Sequence, residues 1–93
     1  MIDIIAIRMS PPDENRHERI AEVRWEREGG VRGDWSMADA VDFVDKFPKV
    51  VFVADARGRR VEVSVVRPDR AHAHLRTFAD GQPTNNLLEL PRF

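Results

Sequence analysis

The 93-residue chain contains no cysteine. No disulfide, thiol nucleophile or thiolate metal site can form, which suits a reducing cytoplasm. Neither sign of charge dominates. The formal net charge is −1, which removes the simplest electrostatic argument for nucleic acid. Long apolar runs are missing too. The opening MIDIIAIRMS carries Asp3, and its apolar stretch, Ile4 to Ile7, stops at Arg8. It fits neither an export signal nor a membrane span, so the expectation is a cytoplasmic protein without membrane contact. Hydroxyl nucleophiles are scarce. Ser10, Ser36, Ser64, Thr77 and Thr84 are the full set, and none sits in a nucleophile elbow or a placeable Ser–His–acid arrangement. GGVRG lacks the strand-before, helix-after context and the Lys-Ser/Thr of a phosphate loop. Nothing here asks for an enzyme, a catalytic residue or a cofactor.

What is present describes a folded domain. An apolar fraction of 42% beside a charged fraction of 33% is that of a globular protein, and residues 1–93 leave room for one core only. Ile2 to Met9 is β-branched and stops at Ser10-Pro11-Pro12, where strand pairing must end. In ERIAEVRWE, Ala21, Val23 and Trp25 alternate with charges, the pattern of a half-buried strand in which Trp25 is buried. Gly29-Gly30 and Gly33 read as an irregular connection. SMADAVDFVDKF is a helix. Ser36 caps it, Met37, Ala40, Val41, Val44 and Phe47 form its apolar stripe, and Pro48 stops it. Val50 to Ala54 and Arg60 to Val66 form a hairpin in which Gly58 supplies positive φ. HAHLRTF is a further strand.

The predicted architecture is α+β, in the order ββαβββ: an antiparallel sheet of about five strands with one helix on one face. Parity puts Arg8, Glu22, Arg24 and Glu26 on the other face. Ile4, Ala6 and Ile20 share that parity and should leave an apolar strip there. Leu87, Leu88, Leu90 and Phe93, in TNNLLELPRF, supply a tail that folds back to cover it. A homodimer or a protein partner is the alternative use of that tail.

IIAIRMS, HERIAEVRW, the serine-started helix, LRTFADG and NNLLELPRF together resemble a family of short bacterial proteins known only as a domain of unknown function. The resemblance runs through nearly the whole chain, in the same order. It implies a fold but no activity, cofactor or substrate. Where the family pattern has Asp-Asn-Leu-Leu, this chain has Asn85-Asn86-Leu87-Leu88, so a role needing a carboxylate at that point is not available.

Three constellations could carry function. His72 and His74, two apart on a strand, could be joined by His17 to hold a divalent ion, though surface histidines on a charged sheet face look the same. Asp39, Asp42 and Asp45 recur along the helix, but on its solvated side, where nothing drives their pKa values apart. Arg57, Arg59, Arg60, Arg67, Arg70 and Arg76 crowd residues 57–76, which hold only two acids, whereas residues 1–48 hold eleven acids against seven bases. They could contact phosphates while Trp25, Trp35 or Phe78 stack on bases; alternatively they pair with acids of the first half. Finally, Arg76, Thr77, Asp80, Asn85 and Asn86 concentrate hydrogen-bonding groups that either lock the tail or form a small polar site. The reading that follows is a small non-enzymatic binding or interaction module. Nucleic-acid binding through residues 57–76 is the alternative, and a histidine metal site the third.

Overall fold

In a computed structural model all residues, Met1–Phe93, are described. Strand β1 (Ile2–Met9) runs antiparallel to β2 (Ile20–Arg27), and a short 3-10 turn, His17–Arg19, lies just before β2. β3 (Val31–Ser36) then pairs antiparallel with β2. Gly29 and Gly30, at φ of 81° and 75°, make the turn between them, a backbone that residues with a Cβ avoid. So the expected irregular connection is a hairpin, and Gly33 lies inside a strand. It is glycine for clearance: a Cβ there would stand 2.4 Å from the Trp25 ring, which lies across it.

Helix α1 (Met37–Lys46) begins where the Ser36 hydroxyl accepts a 3.1 Å bond from the Asp39 amide. It buries Ala40, Val41 and Val44, and carries the chain over to β4 (Val51–Ala54), which runs parallel to β1. The sheet is therefore mixed, because the helix returns the chain in the direction of β1. β4 and β5 (Arg60–Glu62) form the predicted hairpin, with Gly58 at φ of 77°. At Val63 the expected long strand bends. The Val63 amide still donates to the Val51 carbonyl at 3.0 Å, but β6 (Ser64–Val66) pairs with β7 (His74–Ala79). β7 turns through Asp80-Gly81, both at positive φ, into β8 (Gln82–Thr84), the backbone that Asp-Gly hairpins favour. One sheet thus has the order β3-β2-β1-β4-β5 and the other β6-β7-β8. The α+β class with one helix stands; the strands divide more finely, and not all pair antiparallel.

Two bulges overturn the parity argument for an apolar strip. Ile4 faces Trp25 but Ala6 faces Arg24, so Ile5 is an extra residue on β1. Arg8 faces Glu22 but Met9 faces Ile20, so Ala21 is extra on β2. Each bulge reverses the alternation. Ile4, Ile7, Met9, Ile20 and Val23 all reach one core with Val51, Val53, Val63 and Leu75.

The tail does fold back, for a different reason. Leu87 is fully buried in that core, and Leu88 and Leu90 pack against it. β4 pairs with β1 only at Ile2 and Asp3, which leaves the rest of that flank of β1 open. Residues 91–93 fill it: the Ile7 amide donates to the Pro91 carbonyl at 2.9 Å, and the Phe93 amide to the Ile7 carbonyl at 3.0 Å. The Phe93 ring then lies 4.8 Å from the Arg8 guanidinium and 4.1 Å from that of Arg24.

Candidate functional site: an open groove

An open concavity lies where α1, the turn before β2 and the loop between β6 and β7 meet. The first turns of α1 bring Met37, Ala38 and Val41; Ile20 and Ala73 complete an apolar floor of about 500 Å³. Asp42, Arg67, Glu18 and His72 form its rim. Glu18 and His72 also border a second basin of about 520 Å³, lined by Arg16, Arg19, Asp69 and Arg70. The two are therefore contiguous, one apolar and one polar. On the rim, Arg16 is held by Glu14 at 2.8 Å and Arg67 by Asp45. The Arg16 bond keeps the Glu14 carboxyl below its ordinary range. The ion pairs do not include Arg19, Arg70, Glu18 or Asp69. Pattern reading put Met37 and Val41 in the helix's apolar stripe and Ile20 in the strip under the tail, and passed over Arg16, Glu18, Arg19 and Asp69 as site residues. The only signal was the polar loop on each side of the groove.

The histidines separate. β7 starts at His74, so His72 is exposed in the preceding loop rather than beside His74 on a strand. His74 is buried, its Nδ1 3.1 Å from the His72 carbonyl oxygen. His17 is buried too, on a turn packed against β7, and its Nε2 has no hydrogen-bond partner. Loss of water pushes its pKa down to about 4, helped by the nearby positive charge of Arg76 and by His74. No three ligating side chains converge on one point.

The tail lock is largely assembled. Thr77 and Thr84 hydroxyls meet at 2.5 Å, and the Asn86 amide donates to both, at 3.2 and 3.3 Å. Arg76 reaches the Thr84 carbonyl at 3.4 Å and the Asn85 side-chain oxygen at 3.3 Å. Asp80 stands apart, exposed in the hairpin turn. Thr84 was missed, although a two-residue Asp80-Gly81 turn places it opposite Thr77. These groups are occupied with one another.

The arginines of residues 57–76 fall in four places: Arg57 and Arg59 in the β4–β5 turn, Arg60 on β5, Arg67 and Arg70 in the β6–β7 loop, and Arg76 on β7. Arg59 pairs with Asp55 at 3.0 Å and Arg60 with Asp3 at 2.8 Å; Arg67 pairs with Asp45. Asp55 also accepts the Arg57 and Arg59 amides, which hold its carboxyl below the usual range. Asp3 and Asp45 belong to the acidic first half. Arg57 and Arg70 are exposed and make no ion pair. Trp25, Trp35, Phe43 and Phe47 stack in sequence at 5.4, 4.7 and 4.9 Å. Trp25, expected buried, is half-buried: its ring lies across Gly33 of the edge strand β3, beside Trp35.

A helix on a mixed sheet, a second small sheet tied to it and one open groove define a small α+β module. The family described as protein of unknown function (DUF3892) matches residues 3–91, and the chain belongs to it. No curated protein and no solved structure is similar enough to this chain to match it. No helix is long and apolar enough to cross a membrane.

Proposed function

We propose that this chain is a non-enzymatic interaction module of the cytoplasm, and that its groove takes a short peptide segment of a partner protein. The observation that carries this reading is the contiguity of an apolar floor with a polar basin lined by both signs of charge. An apolar side chain can lie on the floor while the peptide's main chain and polar groups meet the rim. That division of labour, apolar area with a few orienting polar groups, is the usual chemistry of a recognition groove.

Ala38 gives a clean test, because it is exposed on α1 and lines the groove. Ala38→Gln adds a longer neutral side chain at a helix-tolerant position. Random-peptide display against the native chain should enrich peptides with apolar anchors, and Ala38→Gln should lose them. No enrichment, or equal retention by both proteins, overturns the reading. A second reading, phosphate contact by residues 57–76, rests on Arg57 and Arg70, the two arginines there that remain exposed and without an ion pair. It requires that a mixed single-stranded oligonucleotide bind at low salt and release steeply as salt rises.

A further inference from the structure

β3 has a neighbour on one side only. No backbone bond outside the regular ladders involves residues 31–36, so its outer row of amides and carbonyls has no backbone partner. The other end strands are blunt by comparison. β5, β6 and β8 are three residues each, and β8 contains Pro83. β3 has six residues, no proline and no shift in register against β2. Shortness, proline, bulges and charged side chains are the ordinary means of stopping a strand from recruiting another. β3 has only the charges, Arg32 and Asp34, and those are of opposite sign.

The order of residues along β3 is complementary to itself. Around Gly33 it reads apolar, plus, glycine, minus, apolar: Val31, Arg32, Gly33, Asp34, Trp35. Val31 is 43% exposed, one of few large apolar side chains so placed. The Arg32 and Asp34 side chains are 62% and 39% exposed.

We propose that β3 pairs with β3 of a second copy of this chain, antiparallel, about a two-fold axis through Gly33. In that register Arg32 faces Asp34 of the partner subunit, and Val31 faces Trp35 of the partner subunit. The two-fold axis repeats both pairs. Directly opposed residues have Cβ atoms about 4.5–5.5 Å apart, close enough for both contacts. Arg32 already bonds Glu26 at 2.6 Å, and Asp34 bonds Arg24 at 2.8 Å. Joining the strands extends these pairs into a row of alternating charge across four strands. Moving the axis to Arg32 or to Asp34 sets like charges face to face, so the register is selected. The glycine at the centre is fixed already by Trp25, and none of residues 31–36 lines the groove.

Charge exchange tests the register. The native chain should show a mass in sedimentation equilibrium that rises from monomer to dimer with concentration. Arg32→Asp alone, and Asp34→Arg alone, should each shift that transition to at least tenfold higher concentration, since each opposes like charges. An equimolar mixture of the two variants should restore it. In the mixed dimer the two introduced side chains face each other with opposite charge, and the unchanged Asp34 of one copy faces the unchanged Arg32 of the other. A native chain that stays monomeric, or single variants that dimerise as the native chain does, overturns the proposal. Should either variant fail to fold, amide exchange of the native chain decides. Protection of residues 31–36 must rise with protein concentration, and concentration-independent exchange there overturns the proposal.

Discussion

Two unpaired stretches of the five-stranded sheet, one inside it beside β1 and one at its β3 edge, are treated in opposite ways. Beside β1, the gap left by β4 is sealed by the chain's own last residues, with two backbone bonds and a phenylalanine laid over two guanidinium groups. Beside β3 nothing is added, and six residues keep a bare outer edge. The sealed side belongs to the stability of the single chain. The bare side is free to serve an encounter. Damage to the first should therefore appear as unfolding, and damage to the second as altered association.

Leu87→Ala should give the largest effect, because the side chain is fully enclosed where the two sheets meet the tail. A loss of about 2–5 kcal/mol in urea unfolding is expected. A loss under about 1 kcal/mol would mean the tail does not seal that side. Next is Gly33→Ala, which drives a methyl into the Trp25 ring. It should destabilise the monomer by about 1–3 kcal/mol through overpacking and would show that the bare edge has a fixed interior lining.

Acid acts on the sealed side through His17, which lies against β7, to which the tail is tied. The unfolded imidazole takes its proton near 6.5 and the folded one only near 4. Between those values the unfolded chain binds more protons, so stability is whole above about pH 6.5 and drains away as pH falls towards about 4. The loss should be about 1–2 kcal/mol after solvent screening, and His17→Gln should flatten that part of the stability–pH curve. An unchanged slope in the variant would assign the loss to other groups. Phe93→Leu should be the smallest change, about 0.5–1 kcal/mol, from loss of the contacts with Arg8 and Arg24.

Local chemistry explains what could be read in advance. α1 was legible because Ser36, the apolar stripe and Pro48 agree on one helix and its ends. The β4–β5 turn was legible because Gly58 supplies the positive φ it needs. The return of the tail followed from four large apolar residues that water would not hold. The bulges were not legible: Ile5 and Ala21 sit in runs that look uniform, and only pairing with a second strand makes a residue extra. β3 was hidden by Gly33, whose reason is a ring eight residues away in sequence. Of the groove, the pieces were visible and their meeting was not, because it depends on how a helix and two loops converge. The ion pairs Arg60–Asp3 and Arg67–Asp45 likewise join distant segments, and charge counts could anticipate them only in general.

Val63 belongs to both sheets at once, bonded to Val51 on one side and leading directly into β6 on the other. Its side chain is sealed in the shared interior. Neither sheet can swing on the other without breaking that bond and opening the shared interior. Amides bonded within the two ladders should therefore lose protection together rather than sheet by sheet.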